Sequence, residues 1–269
     1  MNKKTIYRCP NCSSFLIRSE KAFFCENKHN FDIAKEAYVN LILANKKKSL
    51  KSGDTKEMIL SRQKFLNSGK YDFLLSVILK ELKKNQTKSS SILDIGCGSG
   101  YYIDCVKKKF PTSVCYGIDV SKASIINCSK NFPKIDFAVA NSFDLPFLDK
   151  TFDNILSVFA PFKETEVERI IKKNGTLIVV RPGEKHFFEI YKRHNIPQKL
   201  KRKISFDRLN LAKTIKIQKK DSVLTTEQIY DLIAMTPLFW KIPKTEIIYN
   251  YKEITYDFII DFYEAKNLP

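Results

Sequence analysis

The sequence predicts an α/β domain built on a mostly parallel sheet, with a small metal-held module ahead of it. Three observations predict it. From Ile92 onward, short apolar runs alternate with helix-patterned ones, which is the mark of βαβ units and of a sheet covered on both faces. The first of these runs ends in a glycine-rich turn, Gly96-Cys97-Gly98-Ser99-Gly100. The first forty residues gather three cysteines and a histidine but too few large apolar groups for a core of their own.

Size and charge bound what these parts can be. The chain has 269 residues, 43% of them hydrophobic, enough for one full domain and an accessory unit. Three stretches are expected: a metal module over 1–40, a basic linker and helices over 41–90, and the α/β domain over 91–269. No run of eighteen apolar residues is present, and the charged start Met1-Asn2-Lys3-Lys4 leads into no secretory-type apolar segment, so a cytoplasmic protein without a membrane span is expected. Of the seven cysteines, Cys9, Cys12 and Cys25 cluster near His29, while Cys97, Cys105, Cys115 and Cys128 lie in apolar surroundings. That pattern suits a reducing compartment and one metal site, not a disulfide framework.

The formal net charge is +18 and unevenly spread. Residues 1–52 hold eleven Lys/Arg against four acids, and residues 192–220 hold eleven against Asp207 alone. A lysine-rich genome would scatter its lysines. Two concentrated blocks point instead to a polyanionic partner.

Taken in chain order, the first element is Cys9-Pro10-Asn11-Cys12, followed twelve residues later by Cys25 and then His29. A C-x2-C knuckle aims two thiolates to one side, and the second pair closes a tetrahedron from across a short hairpin. Four protein ligands leave no open position, so a structural zinc is expected. The aromatics Tyr7, Phe15, Phe23 and Phe24, set among lysines, are expected to stack on nucleic-acid bases. Next, Phe65, Leu66, Phe73, Leu74, Val77, Ile78 and Leu82 recur at helical spacing, and the polar run Asn85–Ser91 reads as a loop.

Strands are expected at 92–96, 114–118, 135–139, 154–158 and 176–181, with helices near 100–109, 122–131, 163–172, 184–193 and 225–234. A late alternating segment, 254–260, reads as a further strand. The glycines after the first strand let backbone approach a ligand where any Cβ would clash. Asp119 ends the next strand, where an acid can accept both hydroxyls of a ribose. The G-x-G-x-G spacing departs from the G-x-G-x-x-G suited to a pyrophosphate, which argues against a nicotinamide enzyme. Asp94, inside the turn, suits a ligand carrying an ammonium group. Asn141 stands at the exit of the third strand, and Phe159-Ala160-Pro161-Phe162 at the end of the fourth.

These parts, in this order, resemble the class I S-adenosylmethionine methyltransferases over about residues 90–265. That resemblance implies a seven-stranded sheet whose last strand is antiparallel. The whole chain is similar to the bacterial 23S ribosomal RNA guanine-N1 methyltransferases. The similarity rests on the four metal ligands, Phe31–Leu41, Gly53-Asp54, Met58, Arg62, Phe65-Leu66 and Gly69-Lys70-Tyr71. It continues through Asp94–Gly98, Ala160-Pro161, Pro182-Gly183, His186 and Met235-Thr236-Pro237. By that resemblance Tyr71, Gly98, Ser99 and His186 touch the methyl donor and Asp119 its ribose, with Asp94, Gly96, Gly100 and Asn141 completing the cofactor site. The substrate implied is 23S rRNA, bound through the two basic blocks, and a homodimer is compatible with this reading.

Two positions depart from the family. Ala37 stands where glycine is usual, and Ser99 where an acidic residue is common. No residue is identified as a general base. A small-molecule methyltransferase and a zinc-ribbon RNA-binding protein with a dead catalytic domain are the rival readings. The first leaves the zinc module and basic blocks without a purpose, and the intact turn from Asp94 to Gly100 with Asp119 speaks against the second.

Overall fold

The computed structural model of the chain describes residues 3–43, 54–84, 89–198, 204–247 and 251–265. Lys199, Lys201, Arg202 and Lys203 of the second basic block, which are expected to bind the RNA backbone without reading sequence, lie outside the described residues, as do Lys46, Lys47, Lys48 and Lys51 of the first.

Strands β1 (Lys3–Arg8), β2 (Phe15–Arg18), β3 (Ala22–Phe24) and β4 (Asn30–Asp32) form an antiparallel sheet in that order. Its two metal-bearing turns are tight. Cys9 N–H donates to the Ser14 carbonyl and Ser13 N–H to the Cys9 carbonyl, while Cys25 N–H donates to the His29 carbonyl. The short β5 (Val39–Asn40) then leaves the ribbon and joins the main sheet. Ala37, just before it, has φ +66°. This left-handed conformation explains why glycine suits the position and leaves the alanine strained by about 1–2 kcal/mol.

The main sheet runs β11-β12-β10-β9-β6-β7-β8-β5. Its members are β6 (Ser91–Ile95), β7 (Val114–Asp119), β8 (Asp136–Val139), β9 (Phe152–Val158), β10 (Ile171–Pro182), β11 (Leu209–Asp221) and β12 (Ile254–Ala265). All pairings are parallel except those of β12, which is antiparallel to both β10 and β11. The seven strands of the expected sheet are therefore present, and the metal module adds an eighth at the far edge.

Helices α1 (Lys56–Asn67), α2 (Asp72–Lys84), α3 (Tyr101–Lys109), α4 (Lys122–Asn131) and α7 (Thr226–Ala234) bury their apolar faces in one core with α6 (Phe188–Arg193). On α2 the buried positions are Leu74, Ile78 and Leu82, four apart, as one helix face requires. Each such side chain contributes about 1.5–3 kcal/mol by leaving water. Thr55 caps α1 and Thr225 caps α7, the latter through a reciprocal box with Gln228. On the other face of the sheet lie α5 (Glu164–Ile170) and the metal ribbon.

Several expectations are corrected here. The ribbon, too poor in apolar groups for its own core, shares one: Tyr7, Cys9, Leu16 and Phe23 belong to one buried cluster with Leu93, Ile95, Phe147 and Phe152. Tyr7 stacks on Phe147 at 5.2 Å and meets Phe23 edge-on at 5.5 Å. These two aromatics are hence core residues and not base-stacking ones; Phe15 and Phe24 are partly exposed, and Lys4 lies 4.4 Å over the Phe15 ring. The expected helix at 184–193 starts only at Phe188, because Phe187 takes φ +58°. Inside the stretch marked only as basic, Leu209–Asp221 is a thirteen-residue edge strand.

Candidate active site and metal centre

The four metal-ligand candidates come together. The ligand atoms of Cys9, Cys12, Cys25 and His29 all lie within 4.8 Å of one another. Cys12 and Cys25 sulfurs are 3.6 Å apart, and His29 Nδ1 lies 3.6 Å from Cys9 Sγ and 3.4 Å from Cys25 Sγ. Tetrahedral zinc at ordinary bond lengths requires S···S near about 3.8 Å and S···N near about 3.6 Å. The donor set and spacing fit a Cys3His zinc that closes the ribbon and has no open position for chemistry.

A cavity of about 550 Å³ opens at the carboxyl ends of β6, β7, β8 and β9. The chain runs β6 to β7 to β8 in one direction and then returns to β9 on the other side of β6, so the cavity sits at the switch point of the sheet. Of the sequence-marked residues, Tyr71, Asp94, Gly96, Gly98, Ser99, Asp119, Asn141 and His186 line it. Gly100 does not. It has φ +78°, and a Cβ there would meet the Phe132 ring and Cys128 Sγ, so its glycine serves the packing of α3 on α4.

The turn itself is tightly specified. Gly96 has φ +69°, and a Cβ on it would stand 2.4 Å from the Cβ of Ala160. Gly98 N–H donates to Asp119 Oδ2 at 2.9 Å, and Ser121 N–H donates to Oδ1 at 2.8 Å. Burial pushes the Asp119 carboxyl above its ordinary range, against these two backbone donors. Asp94 is 1% exposed, and its Oδ2 has no hydrogen-bond partner among the described residues. Burial, with the neighbouring Asp119 charge, raises it to about 8. Buried Asp94, with its unsatisfied oxygen, and partly buried Asp119 both resist ionisation, which fits a ligand with a positive group and hydroxyls. S-adenosylmethionine supplies both.

Sequence reasoning passed over the cavity's roof as part of the site. Met58, Arg62 and Leu66 on α1, four residues apart, all line the cavity together with Asp54. Arg62 pairs with Asp54, lies against Gly98 and donates to the Met235 carbonyl at 2.7 Å. One guanidinium thus joins α1, the glycine turn and the Met235-Thr236-Pro237 corner. The i, i+4, i+8 spacing was visible; the side of the helix that faces a ligand was not.

Tyr71 is almost wholly buried, its ring set edge-on to Phe65, Tyr256 and Phe258. His186 lies in the turn before α6, 8% exposed and between Phe159 and Phe187. Its Nδ1 accepts the Asp257 backbone N–H at 3.3 Å, which places the ring proton on Nε2. Burial drives its pKa down to about 3, so the imidazole is neutral. Phe159 itself has φ +57°, a costly backbone for an aromatic residue, at the end of β9. Gln198 closes this side, its amide nitrogen held by the carbonyls of Gly183 and His186.

The family model described as "RlmA, N-terminal" matches residues 7–50, and one described as "Methyltransferase domain" matches residues 92–178. The 23S rRNA (guanine(748)-N(1))-methyltransferase of Streptomyces fradiae is 32% identical over 186 residues, 68% of this chain and 65% of that protein. Two further relatives bear the name "Putative 23S rRNA (guanine-N(1)-)-methyltransferase". That of Bacillus subtilis (strain 168) is 28% identical over 263 residues, 90% of each chain. That of Micromonospora griseorubida is 30% identical over 205 residues, 69% of this chain and 68% of that protein. The ribbon, the glycine turn and these matches agree: the chain belongs to the S-adenosylmethionine-dependent 23S rRNA guanine-N1 methyltransferases, with an RlmA-type zinc ribbon at its N-terminal end.

Proposed function

We propose that this protein transfers a methyl group from S-adenosylmethionine to N1 of a guanine in 23S rRNA, and that the residues on the cavity wall divide the work as follows. The observation that carries the reading is the pair of acids, buried Asp94 and partly buried Asp119, beside a glycine turn roofed by Arg62. Strand order β6-β7-β8 sets Asp94, Asp119 and Asn141 in a row. A donor laid along that row meets Asp94 with its ammonium, Asp119 with its ribose hydroxyls and Asn141 with its adenine end.

When bound, the donor would supply a methyl activated on its sulfonium sulfur, with the neutral thioether S-adenosylhomocysteine as the leaving group. The protein's own part is alignment and exclusion of water. Ala160, seated against Gly96, and the strained Phe159 shape the entry for a flipped base beside β6. His186 offers a proton from Nε2 and no free lone pair. It therefore acts as a hydrogen-bond donor to the bound donor molecule, and not as the base that takes the guanine N1 proton.

The RNA is held outside the cavity by exposed cations. On β11, the outermost strand of the sheet among the described residues, Lys213, Lys216, Lys219 and Lys220 are exposed. A ribosomal substrate supports a cytoplasmic location. The test is direct: purified protein with isotopically labelled S-adenosylmethionine and a 23S rRNA transcript should yield 1-methylguanosine on nucleoside analysis. Label transferred to small acceptors while the transcript stays unlabelled would return the case to a small-molecule enzyme.

A further inference from the structure

Trp240 is the only tryptophan in the chain, and its surface is 66% exposed. It does not hang from a loose loop. It ends a 3-10 turn, Pro237–Trp240, that Thr236 caps by accepting the Leu238 N–H. Its neighbours Leu238, Phe239 and Ile242 are 2%, 6% and 4% exposed, and Lys241 and Ile242 N–H both donate to the Leu238 carbonyl. The turn is thus nailed into the core while the indole is turned out. Pro237, Leu238 and Lys241 line the methyl-transfer cavity, and Arg62 fixes the adjoining Met235 carbonyl. The indole itself is not part of the cavity wall, but it is next in sequence to Lys241, an exposed lysine that is. Lys244 adds a second cation, 5.6 Å over the Phe239 ring.

We infer that Trp240 and Lys241 form a rim clamp for single-stranded RNA. The indole stacks on the nucleotide next to the target guanine, and the Lys241 ammonium meets the adjoining phosphate. This rests on the guanine-N1 reading and deepens it. N1 of a paired guanine is hidden, so the base must leave its stack to reach the cavity, and its neighbour then loses a stacking face. A rigid indole at the rim replaces that face for any base, because every base offers a π surface. The alternative occupant, a second copy of this chain, is disfavoured by charge: the patch is cationic and so is the protein, at +18. A polyanion is the complementary partner.

The single tryptophan makes the test clean, since its fluorescence reports this position alone. Full-length protein is titrated with a 23S rRNA transcript and with a perfectly paired RNA duplex, each with and without S-adenosylmethionine. The transcript should quench Trp240, the duplex should bind without quenching, and S-adenosylmethionine alone should leave the signal unchanged. Trp240→Ala should weaken transcript binding about tenfold or more, and Trp240→Phe should restore most of it. Donor affinity, read by calorimetry, stays at the wild-type value in both, which also shows that the variants fold. Equal quenching by duplex and transcript overturns the clamp, as does undiminished transcript binding by Trp240→Ala. So does a Trp240→Ala protein that loses self-association in sedimentation while binding RNA normally. The failures separate: methylation of the transcript without quenching sinks the clamp alone, whereas quenching without methylation sinks the guanine-N1 reading and leaves the contact standing.

Discussion

Gly98 donates its backbone N–H to the Asp119 carboxylate at 2.9 Å, tying the glycine turn after β6 to the acid at the end of β7. The contact does two things. It fixes the distance between the two strand ends on which the donor lies, and it spends one lone pair of Oδ2 while leaving others for the ribose hydroxyls. An acid that both shapes the turn and holds the ligand is sensitive to replacement.

Asp119→Ala should accordingly weaken S-adenosylmethionine binding by about 1–3 kcal/mol, from the lost hydroxyl contacts and a loosened turn. Isothermal calorimetry measures it. An Asp119→Ala protein with wild-type affinity would mean that the ribose lies elsewhere.

Asp94 gives a pH dependence with a definite sign. Its folded value, about 8, lies above its unfolded value, so the native state holds a proton that the unfolded chain has released between about pH 4 and 8. Stability should therefore decline as the pH rises through that window, and Asp94→Asn should remove this part of the decline. A bound ammonium favours the carboxylate, so donor binding at pH 7 should release a proton. Calorimetry in buffers of different ionisation enthalpy detects it, and the release should vanish in Asp94→Asn. Proton uptake on binding would contradict the placement.

Removal of the zinc should be felt beyond the ribbon. Cys12→Ser costs a ligand, and Tyr7, Cys9, Leu16 and Phe23 share their core with Phe147 and Phe152 of the catalytic domain. Metal analysis should show less than one tightly held zinc per chain. Thermal unfolding should shift down as one transition. A separate early transition with the main one unmoved would show that the ribbon is thermodynamically independent.

The order of elements was legible from Ile92 to Arg193, because parallel strands alternate there with helices in sequence as they do in space. The glycine turn and the four metal ligands were legible because their spacing carries their geometry. What escaped was of two kinds. In Leu209–Asp221 the apolar alternation Leu209, Leu211, Ile215, Ile217 was masked by lysines and by a bulge between Leu211 and Lys213, so a strand read as a basic stretch. Contacts between distant segments were the other kind. Arg62 on the Met235 carbonyl and Tyr7 on Phe147 join residues far apart in sequence, and no local pattern records which buried face meets which.

The lysines of β11 should act through charge alone. Replacing Lys216, Lys219 and Lys220 with alanine should weaken RNA binding and lower the log–log salt slope by up to about 0.7–0.9 per lost phosphate contact. Calorimetric affinity for S-adenosylmethionine should stay unchanged. An unaltered salt slope would place the RNA on another face.

The central claim is methylation of a guanine N1 in 23S rRNA, and mass mapping of 23S rRNA from a strain lacking this gene tests it most directly. One guanine that carries a methyl group in the parent should be unmethylated in the deletion strain. Re-expression of the wild-type chain should restore the mark at N1, and the Asp119→Ala chain should restore it poorly. Identical methylation maps from parent and deletion strains would contradict the account.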